Sequence, residues 1–181
     1  PMTEWGPVKK QAKVHVHRGE ELKVFKLLES RGVVRWVPES SAFQTPQGPL
    51  LNGLFGVVKP GKFTSGNLPV LRVIMNLIPA NSILSVIKGD ISTLPSPTSW
   101  IPLVVAEGSE LYMSQADMSC AFYLFRIPHL WEPYMCFNYV ACGADVGLDP
   151  TLRFRPACIV LPMGWSSSVG VMQMISREIL L

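Results

Sequence analysis

The stretch QADMSCAFY, residues 115–123, contains the residue best suited to chemistry, the lone carboxylate Asp117. The run before Asp117 predicts a strand, the surrounding segment has few charges, and Phe122 follows five residues later. A carboxylate fixed at the end of a strand is a rigid hard-oxygen ligand of the kind that Mg²⁺ prefers. For Asp117 taken alone, a helix cap or a turn acid is the alternative.

Two further stretches combine residue types that suit phosphate chemistry. LRVIMNLIPAN, residues 71–81, carries Arg72 and, nine residues on, Asn81. The arginine guanidinium is planar and permanently charged, which suits a triphosphate. LPMGW, residues 161–165, contains Gly164, whose backbone can approach a ligand closely because it has no side chain.

Other candidate sites are weaker. His15 and His17 alternate and share one face of a strand, but two histidines without a third ligand are more typical of exposed strand residues than of a metal site. GWSSS, residues 164–168, is a broken nucleophile elbow, because Ser168 replaces the final Gly and neither Asp nor His follows Ser166. Neither phosphate-binding glycine motif, G-x-x-x-x-G-K-[ST] or G-x-G-x-x-G, is present.

Taken together, QADMSCAFY and IVLPMGWSSSVGVMQ resemble the first and second palm motifs of reverse transcriptases. LRVIMNLIPAN is similar to the fingers hairpin strand of the same family, and the three stretches occur in the family's order. The resemblance implies that Asp117 is the catalytic carboxylate and, with the backbone carbonyl of Met118, a ligand of Mg²⁺ or Mn²⁺. It also implies a set of nucleotide-binding residues, in which Phe122 selects deoxyribose over ribose: Arg72, Ala121, Phe122, Met163 and Gly164.

The sequence departs from the family pattern at two places. Met163 stands where a Gln is common, and a thioether packs without forming that residue's hydrogen bond. The third palm motif, an aromatic residue, one further residue and two adjacent aspartates, is absent from the 181 residues. It is expected beyond Leu181, because the predicted last helix has no stop signal and the chain opens on Pro1. We therefore expect a piece of a longer protein.

The elements that must position these residues follow from hydrophobic periodicity and turn formers. Helices are predicted over 18–32 and 166–181, and strands over 33–40, 134–143 and 154–162, in addition to a hairpin over 54–81 and a strand running into a short helix over 110–128. With the resemblance, the predicted fold is α+β: an antiparallel palm-type sheet with packed helices and an interleaved fingers subdomain. The implied division is a lead-in (1–17), fingers (18–84), the first part of the palm (85–124), a return to the fingers (125–158) and the continued, truncated palm (159–181).

Charge and composition are consistent with this division. Residues 1–72 hold 11 Lys and Arg against 5 Asp and Glu, which is +6, whereas residues 73–181 hold 5 against 8, which is −3. A basic half beside a mildly acidic half suits phosphate contacts next to a cation site, although an ordinary solvated basic face is the alternative. With 48 % apolar and 16 % charged residues, a core is expected. No run approaches a membrane span of about 20 apolar residues, and no basic-then-apolar stretch with a small-residue cleavage site is seen, so secretion is not expected. None of the four cysteines falls in a C-x-x-C pair, so we expect reduced thiols in an intracellular protein, in cytoplasm or nucleus.

The resemblance implies a fragment of an RNA-directed DNA polymerase of a retroelement, which adds deoxynucleotides to a primer 3′-OH by a two-metal mechanism. Its expected partners are an RNA or DNA template with primer, deoxynucleoside triphosphates and the rest of a polyprotein, with no membrane. The 181-residue piece alone is expected to be inactive, because the second carboxylate motif is missing. The alternatives are a catalytically dead nucleic-acid-binding remnant of a retroelement and an unrelated globular interaction domain.

Overall fold

The computed structural model describes residues 11–94, 96, 98, 101–112 and 117–180. The first ten residues of the predicted lead-in therefore lie outside the described residues. Short 3₁₀ turns connect the regular elements, which are, in chain order, α1 (Glu21–Ser30), β1 (Val34–Pro38), β2 (Gln44–Thr45), β3 (Gly48–Pro49), β4 (Gly53–Phe63), β5 (Pro69–Asn76), α2 (Ile78–Asn81), β6 (Ala141–Cys142), β7 (Arg153–Cys158) and α3 (Ser168–Leu180).

Helix α1 and strand β1 form as their sequence predicts. The apolar stripe of α1 buries Phe25 completely. Gly32 ends the helix with φ +68°, and its N–H donates to the Glu29 carbonyl at 2.8 Å. A positive φ suits glycine at this position because no Cβ opposes it. The Trp36 indole N–H of β1 donates to the Glu29 carboxylate at 2.9 Å, so the helix is tied to the strand that follows it.

A three-stranded antiparallel sheet in the order β1-β7-β6 forms one half of the core. Its longest ladder runs from Val34↔Cys158 to Pro38↔Phe154. Strand β7 is central, and every residue from Phe154 to Cys158 is buried. The strand predicted over 154–162 is confirmed in its first half by β7.

The strand predicted over 134–143 is wrong for most of its length. A 3₁₀ segment, His129–Met135, contains Pro133, and only Ala141–Cys142 pair as a strand. Phe137 N–H donates to the Pro156 carbonyl at 2.9 Å, but a proline has no N–H with which to continue a ladder on that edge. The aromatic and β-branched composition of this segment serves burial instead, since Phe137 is completely buried.

The hairpin predicted over 54–81 is confirmed by β4 and β5, with a register that runs from Gly53↔Asn76 to Val58↔Leu71, but its last four residues form helix α2 and not strand. The base of the hairpin is buried through Leu54 and Met75, whereas the outer part is exposed. Segment 13–15 pairs with β4 at its base, because the Lys13 carbonyl accepts from Leu54 N–H and His15 N–H donates to the Leu54 carbonyl.

One buried amide joins the hairpin to the rest of the core. Asn52 is completely buried, and its Nδ2 donates to the carbonyls of Tyr134 at 2.9 Å and Cys136 at 3.1 Å. Its Oδ1 accepts from the Ala80 N–H at 3.3 Å. Because a buried amide needs its hydrogen bonds, Asn52 holds α2 and the 3₁₀ segment in one relative position.

Helix α3 packs against the chain around residues 87–90. A Cβ on Gly170 would lie 2.2 Å from the Lys88 carbonyl oxygen, so the backbones approach closely. Arg177 pairs with Asp90 at 3.1 Å near the other end of the helix. The Ser168 hydroxyl donates to the Pro162 carbonyl at 2.7 Å, which fixes the start of α3 beside the LPMGW stretch.

The fold is mixed α/β with antiparallel sheets, which agrees with the general character of the predicted α+β class. The described strands form three separate sheets, of three, two and two strands, and not one continuous palm-type sheet. The described part of the chain contains no helix that is both long and apolar enough to cross a membrane.

Candidate functional site

Gly164 occupies a turn in which only glycine fits. Its φ is +115°, and a Cβ placed on it would lie 2.2 Å from the Met75 carbonyl oxygen of β5. The sequence predicted that this close approach serves a nucleotide or template. In the folded chain the backbone that approaches Gly164 most closely is strand β5, so the turn is seated on the base of the hairpin.

Asn81 holds the two sides of this turn. Its Nδ2 donates to the Gly164 carbonyl at 2.9 Å, and its Oδ1 accepts from the Ser166 N–H at 3.0 Å. An asparagine can donate and accept with one side chain, which an aspartate or a leucine cannot. The residue that closes the predicted fingers motif therefore contacts the predicted palm motif 83 positions away.

The 3₁₀ turn Ala121–Leu124 lies against the same strand. The Tyr123 hydroxyl donates to the Val73 carbonyl at 3.2 Å. Because hydrogen-bonded and non-hydrogen-bonded pairs alternate along an antiparallel ladder, the carbonyls of Val73 and Met75 point to the same edge of β5. On the outer edge of β5, Tyr123 thus covers the carbonyl of Val73, and the Gly164 turn covers the carbonyl of Met75.

Arg72 is exposed on β5, opposite Val57, and its charge reaches Tyr123. Burial raises the pKa of the Tyr123 hydroxyl above its ordinary value, the thiols of Cys158 and Cys120 act in the same direction, and the positive charge of Arg72 opposes them. The guanidinium is therefore close enough to the 121–124 turn to influence its electrostatics. An exposed cation at this place is available to an anionic ligand.

Asp117 is predicted to stand at the end of a strand. It lies in exposed irregular backbone, as does Met118, and residues 113–116, the part of the predicted strand just before it, lie outside the described residues. Over the described remainder of 110–128, strand-type pairing is limited to the bridge between Arg126 and Val160. A strand needs hydrogen-bonding partners, and the described residues of this segment find them only at this bridge, where Ile127 N–H donates to the Ile159 carbonyl and the Phe125 carbonyl accepts from Leu161 N–H. The role of Asp117 as a metal ligand stays a prediction.

The other predicted site residues lie near the 121–124 turn and the Gly164 turn. Ala121 and Phe122 are half-buried, and Phe122 packs against the main core, as Tyr123 also does. Met163 is half-buried next to Gly164. Cys120 precedes the 121–124 turn with a left-handed φ of +56°, which turns the chain sharply between Asp117 and Phe122.

The weaker sequence candidates have structural roles or open surroundings. Ser168 donates to Pro162 as described, and the Ser167 hydroxyl accepts from the Ile87 N–H at 2.9 Å, so both hydroxyls support backbone. His15 and His17 are both exposed, as expected for alternate residues. Among the described residues, no cluster of three or more His, Cys, Asp or Glu side chains could hold a metal ion.

Sequence reasoning missed an apolar pocket of about 200 Å³ beside the Gly164 turn. Trp165 forms one wall and contacts Trp131 edge to face, with ring centroids 5.0 Å apart and an interplanar angle of 72°. Arg126 lies at the same pocket, together with Ile175 of α3. These residues span fifty positions of the sequence without a shared motif, so no local signal could have grouped them.

Comparison with known proteins supports the fold and no more. No protein-family model matches the sequence, and no curated protein matches it. Solved structures do match, among them a foamy viral protease-reverse transcriptase in complex with double-stranded DNA, with a TM-score of 0.57 and 14 % sequence identity. The match covers 95 % of this chain and 25 % of that chain, so this chain spans about a quarter of the length of the structure it resembles. The fold is therefore similar to part of a reverse transcriptase and compatible with a fragment of a polymerase-like fold.

Proposed function

We propose that the chain is the fingers and first part of the palm of an RNA-directed DNA polymerase from a retroelement. In this proposal, residues 18–84 and 125–158 form the fingers, and residues 85–124 and 159–181 form the beginning of the palm. The parent reaction is template-directed addition of deoxynucleotides to a primer 3′-OH. The chain contributes the nucleotide-facing surface and one catalytic carboxylate.

One observation carries the proposal: the three stretches that resemble polymerase motifs meet on one strand edge. Gly164 contacts the Met75 carbonyl, Asn81 joins both sides of the Gly164 turn, and Tyr123 bonds the Val73 carbonyl. An accidental set of short motifs has no reason to converge from positions up to about ninety residues apart. The similarity of the whole fold to part of a reverse transcriptase is independent support.

The proposed roles follow from position and residue type. Arg72, exposed on β5 and near the 121–124 turn, binds the triphosphate, since its guanidinium stays charged at any relevant pH. Ala121 leaves room for the sugar, and the half-buried ring of Phe122 forms a flat wall under it. Met163 packs beside the base pair without the hydrogen bond that a glutamine would form.

The described residues do not by themselves fit a complete two-metal site. Mg²⁺ prefers about six oxygen ligands in octahedral geometry, and no cluster of acidic residues is found within the described ranges. We propose that Asp117 and the Met118 carbonyl supply part of the ligand set for Mg²⁺ or Mn²⁺, and that carboxylates outside these 181 residues supply the rest. The contribution of this chain is then to hold one hard oxygen next to the sugar-binding turn.

The proposed partners are a template with primer, deoxynucleoside triphosphates and the remaining part of the polyprotein. The hairpin region 53–76 contains Lys59, Lys62 and Arg72 and no acidic residue, which suits phosphate contacts. The fold neighbour is a complex with double-stranded DNA, which favours nucleic acid as the partner class. Four free cysteines favour an intracellular compartment.

The test is primer extension, with the 181-residue chain and with the longer parent protein assayed side by side. We expect extension by the parent with Mg²⁺ or Mn²⁺, and a loss of at least about a thousandfold in Asp117→Ala, because a metal ligand acts on the transition state. Asp145→Ala is the matched control, since Asp145 is likewise an exposed aspartate but lies on a separate 3₁₀ turn, and its replacement should leave the rate unchanged. The 181-residue chain should bind primer-template and extend nothing.

The alternative is a dead nucleic-acid-binding remnant, which the exposed position of Asp117 favours, since within the described ranges no group of acidic, His or Cys side chains joins it to hold a metal ion. This alternative predicts that the parent binds primer-template in a salt-dependent manner but extends no primer. Extension that is insensitive to Asp117→Ala would contradict both readings of the site. Absence of nucleic-acid binding would leave an unrelated interaction domain.

A further inference from the structure

A pocket of about 530 Å³ lies at the opposite end of β7 from the residues that lead to Gly164. Arg153 and Arg155 form one side of it, and Glu39 of the 3₁₀ turn after β1 lies between them. Residues two apart on a strand point to the same face, so β7 presents both guanidinium groups in the same direction. The pocket is separate from the candidate site.

The charge in this pocket is not balanced by the residues that form it. Glu39 Oε1 pairs with Arg155 Nη2 at 2.5 Å, and Glu39 Oε2 pairs with Arg153 Nε at 3.3 Å. One carboxylate is shared by two permanently charged guanidinium groups, which leaves one positive charge in excess. The carboxylate of Asp149 keeps its negative charge, but its Oδ1 accepts from the Thr151 N–H at 2.9 Å and from the Thr151 hydroxyl at 2.6 Å, and within the described residues it forms no ion pair with Arg153 or Arg155.

Arg155 also has an unused donor. The residue is only 8 % exposed. Its Nε is buried, and it finds no hydrogen-bond acceptor among the described residues. Its Nη1 reaches the Tyr139 carbonyl only at 3.5 Å. A buried donor on a charged group is costly unless an acceptor satisfies it, so the site is short of both negative charge and acceptor oxygens.

We propose that this pocket binds a phosphate group through the guanidinium groups of Arg153 and Arg155. Paired arginines match the oxygens of a phosphate in geometry and charge, and a volume of about 530 Å³ admits the group with part of what it is attached to. The phosphate belongs to the backbone of a polynucleotide or to a free phosphate compound. The site does not depend on the polymerase proposal, because none of its residues belongs to the Asp117 or Gly164 region.

The experiment measures binding of inorganic phosphate and of pyrophosphate to the 181-residue chain by calorimetry, at constant ionic strength held with NaCl. Arg153→Gln should weaken binding roughly tenfold, because a charge-assisted hydrogen bond of about 1.4 kcal/mol or more is lost. Arg153→Lys should weaken it less, since the charge stays and the fork is lost. Glu39→Gln should tighten binding severalfold, because the competing anion is removed. Arg31→Gln, a matched exposed arginine on another surface, should change nothing.

The source of the phosphate is distinguished by competition. A single-stranded oligonucleotide of about ten residues is added to the phosphate complex, beside the same oligonucleotide with an uncharged methylphosphonate backbone. Displacement by the charged strand alone identifies a polynucleotide, and displacement by neither identifies a free phosphate compound. The proposal is overturned if the wild-type chain shows no saturable phosphate binding, if Arg153→Gln and Arg31→Gln weaken it equally, or if Glu39→Gln weakens it while circular dichroism shows a folded chain.

Discussion

Replacing Gly164 by alanine should destabilise the protein more than any ordinary surface change. The new Cβ would lie 2.2 Å from the Met75 carbonyl oxygen, whereas ordinary contacts begin near 3.4 Å, so backbone must move by about 1.2 Å. The residue must also keep a φ of +115°, which costs a non-glycine residue about 1–3 kcal/mol. With the contact added, we expect a loss of about 2–5 kcal/mol in the free energy of unfolding.

This loss is a large fraction of the usual free energy of unfolding of a domain, which is about 5–15 kcal/mol. At about 2–4 °C per kcal/mol for a chain of this size, the melting temperature should fall by about 4–20 °C. Urea and thermal unfolding followed by far-ultraviolet circular dichroism measure both quantities. Because the displaced turn also loses its register with Asn81, nucleotide use by the parent protein should fall as well.

Gly66→Ala is the matched control. Gly66 lies in the hairpin connection, its φ is not in the left-handed region, and a Cβ there would have Thr64 Oγ1 at 3.9 Å as its nearest neighbour. Its effect should stay within about 0.5 kcal/mol. If Gly164→Ala costs less than about 1 kcal/mol, the close approach to β5 is not a constraint on this turn, and the contact that supports the proposed function is wrong.

Three other predictions test separate parts of the molecule. In an active parent protein, Phe122→Val should raise ribonucleotide use by one to three orders of magnitude, which is about 1.4–4 kcal/mol of lost discrimination. The control Tyr123→Val should lower the free energy of unfolding and leave the choice of sugar unchanged. If the ratio of ribonucleotide to deoxynucleotide use is unchanged in both variants, Phe122 is a core aromatic only. Asn81→Ala should cost about 1–3 kcal/mol in urea unfolding because two hydrogen bonds to the Gly164 turn are lost, and a cost near zero would show that they contribute nothing. Burial raises the pKa of Cys136 and of Cys158 to about 12, so both stay protonated near pH 8 and should react with a thiol reagent only after unfolding, whereas the two exposed cysteines react at once. The stability that these two thiols contribute is present below their unfolded pKa near 9 and is lost as the pH rises from 9 to 12, and four fast-reacting thiols in the native chain would contradict their burial.

Elements whose signals are local could be predicted from the amino-acid sequence. The stripe of Leu22, Phe25 and Leu28 and the terminating Gly32 predict α1, and the turn-rich segment between two apolar runs predicts the β4–β5 hairpin. These predictions succeed because backbone geometry and side-chain periodicity are settled within a few residues. The motifs around Gly164 and Asn81 could be identified for the same reason, since each is a short run of residue types.

Contacts between residues that are distant in the chain could not be predicted from short segments. The composition of segment 134–143 predicts a strand, but Pro133 and Pro156 interrupt a continuous hydrogen-bonded ladder. The composition of the segment does not indicate which strand lies next to it. Asp117 likewise lies in irregular backbone, and the described part of its segment pairs only at the bridge between Arg126 and Val160.

The contacts at the Gly164 turn and in the pocket of Arg153 and Arg155 could not be predicted from short segments either. Position 164 has no room for a side chain, because a Cβ there would lie 2.2 Å from the Met75 carbonyl oxygen. The two residues are 89 positions apart in the sequence. Nothing in the sequence around Arg153 and Arg155 indicates that they share a carboxylate. The β1–β7 ladder places Glu39, more than a hundred positions earlier, between them. Packing between elements depends on the whole chain at once, so these contacts have no local pattern from which they could be predicted.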